Sequence, residues 1–143
     1  MKQDELLKLD NQLCFPLYAC AKEVVNLYTP HLRPLGITYT QYLVFLLLWE
    51  KNPIPMSEIC KRLYLDSGTL TPLLKKLENL KYIERIRSKE DERCILIQLT
   101  EEGKQLKKKC ASIPVQVGSC INLEPKEAEV FYKLLNKVLN NES

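Results

Sequence analysis

Leu13, Leu17, Cys20, Ala21, Val24 and Leu27 or Tyr28 recur at three- and four-residue steps and predict an amphipathic first helix beginning after Asp10 or Asn11. Pro16 falls inside that pattern, so the backbone is expected to kink, or the helix to restart, within a turn of Cys14. The stretch YTPHLRPLG, with two prolines and a glycine, reads as a short helical turn or loop. Thr38 and Gln41 then form a capping-box pattern ahead of YLVFLLLWE, a strongly apolar run expected to be a buried helix ending at Asn52-Pro53. Ser57 is placed to cap a short helix, SEICKRLY, and Asp66 or Ser67 to cap the next, which runs through GTLTPLLKKLENL. Two short helices joined by a tight turn suggest a helix-turn-helix. YIERIR and CILIQLT, separated by the charged loop SKEDER, read as a hairpin, and a hairpin directly after the second helix is a wing.

Thr100 caps a helix starting EEGKQLKKKC, and Asn122 or Glu124 with Pro125 opens a last one, PKEAEVFYKLLNKVL, striped by Val130, Leu134, Leu135 and Val138. The expected fold is mainly α with a small β-hairpin wing. One domain is predicted, with a winged helix-turn-helix at about 36–100 between helical regions at about 1–35 and 101–143. Those terminal helices lie outside the helix-turn-helix, and their apolar stripes are expected to join two copies in a homodimer.

At 143 residues the chain can bury one good core, and 45% hydrophobic with 27% charged residues sets disorder and fibrous classes aside. No apolar run approaches the ~20 residues of a membrane span, and MKQDELLKLD is polar and acidic rather than signal-like, so a cytoplasmic protein is expected. The six cysteines lack a CxxC pair and His31 is the only histidine, which leaves a structural zinc site without its usual ligand spacing. Mostly buried thiols are expected, and no cofactor or metal. A net charge of +3 cannot by itself establish nucleic-acid binding, but Lys75, Lys76, Lys81, Arg85, Arg87, Lys89 and Arg93 concentrate it around the second helix and wing.

LDNQLCF, TYTQYLVFLLLWE, LYLDSGTLTPLLKKLE and RSKEDER resemble the MarR family, specifically its organic-hydroperoxide-sensing OhrR branch. The resemblance runs from about Leu9 to Thr100; beyond it the chain resembles the family only in being helical. It implies a triangular dimer with interlocked terminal helices, winged helices on pseudo-palindromic double-stranded operator DNA, and repression that ends when a sensing cysteine is oxidised. That cysteine falls on Cys14, and its supporting tyrosines fall on Tyr18, Tyr28 and Tyr39. Tyr28 and Tyr39 are placed across the dimer from Cys14. Pro16 departs from the ordinary helix former usual there.

A peroxide sensor needs a thiolate, which attacks the peroxide oxygen and becomes a sulfenic acid. The unpaired amides and positive dipole end of a helix start favour an anion near Cys14, and tyrosine hydroxyls add hydrogen bonds. The resemblance implies one of two routes from the sulfenic acid, a mixed disulfide with a small thiol or a disulfide with a second cysteine, for which Cys120 in the connection GSCINLEP is the candidate, on the opposite subunit.

For DNA, Ser67, Thr69 and Thr71 at the start of the second helix suit close approach in the major groove, and Gly68 lets the backbone nearer still. Lys75 and Lys76 are expected phosphate contacts. Arg93 suits the minor groove with Asp91 orienting it, and Arg87 stands at the wing's base. Two alternatives compete: a repressor released by a small phenolic ligand, and a thiol peroxidase using Cys14. The lone histidine and the sequence devoted to a recognition helix and wing argue against the peroxidase.

Overall fold

The computed structural model describes residues 2–140. A short helix α1 (Gln3–Leu6) and a 3-10 turn (Leu9–Asn11) precede α2 (Cys14–Leu32). The 3-10 turn ends at Asn11 and α2 begins afresh at Cys14, a restart within a turn of Cys14 as expected, and the helix then runs unbroken past Pro16. Pro16 is the third residue of the helix, where an amide has no carbonyl one turn back to bond, so proline forfeits nothing there. The stretch YTPHLRPLG is a short helical turn only in its second half, because α2 runs through Pro30 to the buried Leu32. A 3-10 turn, Arg33–Leu35, follows and stops at Gly36, whose φ of 75° is the left-handed conformation glycine adopts freely.

Thr38 and Gln41 close the expected capping box at the start of α3 (Tyr39–Glu50): the Gln41 amide donates to Thr38 Oγ1, and the Thr38 amide to Gln41 Oε1. Tyr42, Val44, Phe45, Leu47 and Leu48 of this apolar helix are buried, while Leu46 stays exposed. A two-residue strand β1 (Ile54–Pro55), absent from the sequence-based expectation, leads directly into α4 (Met56–Leu63). Because α4 starts at Met56, Ser57 lies inside it and caps nothing.

Asp66 caps α5 (Ser67–Asn79) by accepting from the Thr69 amide at 2.7 Å, and Leu70, Leu74 and Leu77 form its buried face. The wing strands β2 (Ile83–Arg87) and β3 (Ile95–Leu99) pair antiparallel from Ile83 with Leu99 to Arg87 with Ile95. β1 adds to the free edge of β3, giving the sheet order β1-β3-β2. Thr100 caps α6 (Glu101–Cys110) as expected. Gly103 permits α6 to touch the wing's base, since any β-carbon there would collide with the Tyr82 carbonyl oxygen; the Trp49 indole also donates to the Gly103 carbonyl, at 3.1 Å.

The chain divides into two compact units, Met1–Ile113 and Pro114–Ser143. A short helix α7 (Ile113–Gly118), not foreseen, spans the division, and the second unit carries α8 (Pro125–Leu139), opened by Glu124 and Pro125. Val130, Phe131, Leu134 and Val138 on α8 are exposed, as are Leu13, Phe15 and Leu17 at the start of α2. No helix among the described residues is long and apolar enough to cross a membrane.

Candidate functional site

Ser67, Gly68, Thr69 and Thr71 are all exposed on the first turns of α5. Asp66 fills the cap, so the Ser67 hydroxyl is not consumed in that role; the hydrogen bond from the Thr69 amide holds the Asp66 carboxyl below its usual range. Thr71 Oγ1 donates to the Ser67 carbonyl at 2.7 Å, which fixes its rotamer while leaving its oxygen able to accept. Lys75 and Lys76 continue the exposed surface along the helix.

In the wing, Asp91 Oδ1 accepts from the Arg93 amide at 3.0 Å and lies 3.5 Å from Arg93 Nε. The Arg93 side chain is 94% exposed, so it is aimed by Asp91 and otherwise left to solvent. Ser88 Oγ accepts from the amides of Glu90 and Asp91, and Arg87 Nη1 donates to the Glu92 carbonyl at 2.8 Å. Arg87 therefore props the loop that presents Arg93. Arg85 belongs to the same basic stretch but serves the fold, because its guanidinium meets Glu78 of α5 at 3.1 and 3.3 Å and its amide donates to the same carboxylate. This clamp ties β2 to α5, and the Arg85 hydrogen bonds hold the Glu78 carboxyl below its ordinary range. Charge counting along the sequence could not separate this arginine from the others.

Cys14 is the first residue of α2 and is exposed; no side chain caps the helix there. Tyr18, one turn on, is exposed, with the Lys22 ammonium 5.1 Å from its ring centre. Tyr28 lies fourteen residues along the same helix, about 21 Å away at 1.5 Å per residue, and cannot reach Cys14 within one chain. It packs instead on Tyr39, with ring centres 4.7 Å apart, and on Tyr42 at 5.6 Å. Burial raises the Tyr28 and Tyr39 hydroxyls above the usual phenol range and pushes Tyr42 up to about 12, so all three remain neutral hydrogen-bond donors at neutral pH. Tyr42 was absent from the expected set. Three residues after Tyr39 it shares a face of α3 with it, but that this face meets Tyr28 of α2 is set by packing between the helices.

The expectation of mostly buried thiols is corrected. Only Cys110 is buried, where desolvation pushes its thiol up; Cys14, Cys20 and Cys120 are exposed, and Cys60 and Cys94 are half-buried. Cys120 lies in the connection between α7 and α8, its Sγ 3.5 Å from the Gln116 carbonyl oxygen. The structure thus brings Asp91 to Arg93 and Tyr28 to Tyr39, and within one chain it does not bring Cys14 to the tyrosine pair.

Residues 26–110 match the family model described as "Transcriptional regulator SarA/Rot". The chain is 50% identical over 123 residues to the organic hydroperoxide resistance transcriptional regulator of Bacillus subtilis, covering 86% of this chain and 82% of that protein. It is 41% identical over 134 residues to the HTH-type transcriptional regulator SarZ of Staphylococcus aureus, covering 93% and 90%. Among solved structures it is similar to AbfR of Staphylococcus epidermidis in several states. Reduced AbfR bound to DNA matches with a TM-score of 0.78 at 36% identity, covering 96% of each chain. Overoxidized AbfR bound to DNA also gives 0.78, at 37% identity with 96% and 97% covered, and the disulfide-formed state gives 0.66 at 36%, with 96% and 97% covered.

Proposed function

This chain belongs to the SarA/Rot family of transcriptional regulators, of MarR-like winged-helix type, and is similar to an organic hydroperoxide resistance regulator; from that membership we propose that it is a redox-sensing repressor. It works in the cytoplasm as a homodimer on pseudo-palindromic operator DNA, and it leaves that DNA when an organic hydroperoxide oxidises Cys14. The observation that carries this reading lies along α2. An exposed cysteine opens the helix, and a pair of neutral phenols sits about 21 Å further on, so only a second subunit can bring that pair to the thiol. The exposed apolar residues of α2 and α8 supply surfaces for that second subunit.

The Cys14 thiolate attacks the peroxide; the O–O bond breaks, an alcohol leaves after taking up a proton, and the sulfur becomes a sulfenic acid. Tyr28 and Tyr39 of the opposite subunit donate hydrogen bonds to the thiolate before attack. The Cys120 thiol of the other subunit then attacks the sulfenic sulfur, an S–S bond forms and water departs. AbfR supports placing the switch at this second step, because its overoxidized form is seen on DNA and it also occurs as a disulfide. On the DNA side, the start of α5 enters the major groove, Lys75 and Lys76 meet phosphates, and Arg93 enters the minor groove. The relatives are transcriptional regulators, which fits a non-enzymatic role.

A gel shift on the DNA upstream of the chain's own gene tests the reading. Cys14→Ser is expected to bind as the unsubstituted protein does and to stay bound when an alkyl hydroperoxide is added. Normal release by this variant sinks the assignment. One observation favours a second reading, release by a small phenolic ligand: a cleft of about 380 Å³ is bordered by Val25, Arg33, Thr38, Tyr39 and Lys76. Its two cations suit a phenolate or aromatic carboxylate, and release of Cys14→Ser by a salicylate-like compound would favour it.

A further inference from the structure

A groove of about 460 Å³ opens between the start of α4, the start of α5 and the wing, and both half-buried thiols of the chain, Cys60 and Cys94, line it with Ser57, Ser67 and Arg93. Ser67 and Arg93 are the residues through which α5 and the wing meet DNA in the reading above, so the thiols lie on the face that a duplex must cover. Both are held by their backbones. The Cys94 amide donates to the Asp91 carbonyl and its carbonyl accepts from the Ser88 amide, each at 2.9 Å, closing the wing loop; the Cys60 carbonyl accepts from the Leu65 amide at 3.0 Å, closing the turn out of α4. A group attached to either sulfur therefore stands in the groove, beside Ser67 and Arg93.

We propose that Cys60 and Cys94 form a second thiol-modification site, distinct from Cys14, at which small α,β-unsaturated carbonyl compounds block DNA binding directly. The sulfur bonds to the β-carbon, the C=C π pair passes to the α-carbon through the enolate, and the thiol proton ends on that carbon. No oxidant is consumed. The groove supplies hydrogen-bond donors for the carbonyl oxygen in the Arg93 guanidinium and the Ser67 hydroxyl. Unlike peroxide release, this block needs no second subunit and no resolving cysteine. The inference rests on the assignment of α5 and the wing as the DNA face.

The test uses the full chain carrying Cys14→Ser, Cys20→Ser and Cys120→Ser, with N-ethylmaleimide as the probe and the upstream DNA as ligand. Before treatment this protein is expected to shift the DNA; failure to do so overturns the DNA-face assignment and this proposal with it. After treatment, mass spectrometry is expected to place the adduct on Cys60 or Cys94, and affinity to fall by roughly tenfold or more, the scale of a lost specific contact. Bound DNA is expected to slow the labelling, a measurement that needs no further substitution. Adding Cys60→Ser and Cys94→Ser is expected to preserve binding through treatment. An adduct on either residue with unchanged affinity, or no adduct on either, overturns the proposal while leaving DNA binding established by the untreated protein.

Discussion

At Arg93 a single carboxylate decides where a guanidinium goes. Asp91 holds the Arg93 amide and stands 3.5 Å from Nε, while the rest of the side chain is in solvent, so the pair biases the direction of the guanidinium and leaves its outer nitrogens free. Arg93→Ala is therefore expected to weaken operator binding by about 1–3 kcal/mol, with the melting temperature unchanged, as measured by fluorescence anisotropy at near-physiological salt. Equal affinity for the two proteins would remove the wing from recognition. In the proposed mechanism Tyr28 and Tyr39 act through their hydroxyls, whose ionisation burial disfavours further. Tyr28→Phe and Tyr39→Phe are each expected to bind DNA normally and to slow Cys14 oxidation roughly tenfold, since a hydrogen bond to a charged group contributes about 1.5 kcal/mol. Stopped-flow oxidation at the rate of the unsubstituted protein would reduce both tyrosines to packing. Asp91 and Arg93 were legible because two residues in one loop interact locally. The Tyr28–Tyr39–Tyr42 cluster was not, because it joins two helices whose approach no local pattern encodes.

The elements differ in how far their ends follow from nearby residues. α3, α5 and α6 start where a side-chain oxygen meets an amide three residues later, at Thr38, Asp66 and Thr100. These starts could be read in advance, although Asp66 and Ser67 were equal candidates until the geometry chose Asp66. Pro30 was the misleading signal, since α2 passes through it to reach the buried Leu32, whereas Pro16 sits in the first turn of a helix that starts afresh at Cys14, where no amide is needed. α6 shows an element positioned by the absence of a side chain. Gly103 lies against the Tyr82 carbonyl, and the Thr100 amide and hydroxyl bond to the carbonyls of Tyr82 and Lys81 at 3.0 and 2.6 Å. Gly103→Ala is expected to lose about 1–3 kcal/mol, because backbone rather than a flexible side chain must give way. At about 2–4 °C per kcal/mol for a chain of this size, calorimetry would register the drop, and an unchanged melting temperature would refute the close approach.

For the whole molecule, the proposed reading has a second copy cover the exposed apolar residues near both ends of the chain and bring Tyr28 and Tyr39 to Cys14. The covalent outcome is measurable. One equivalent of organic hydroperoxide is expected to give a dimer on a non-reducing gel, and Cys120→Ser is expected to abolish it. If the unsubstituted protein stays monomeric there while mass spectrometry finds Cys14 joined to an added small thiol, Cys120 plays no part and a one-cysteine route operates. Sequence alone determined the order of the main helices and wing strands, the capped starts of α3 and α6 and the Asp91–Arg93 motif, because periodicity, capping and loop chemistry act over a few residues. Tertiary structure alone decided that β1 completes the sheet, that Arg85 clamps Glu78, that Tyr42 joins the tyrosine pair, and that Cys60 and Cys94 share one groove. Each of those depends on segments distant in the chain meeting in space, and their meeting is set by how the buried faces of α3, α5 and the sheet pack together rather than by any residue's near neighbours.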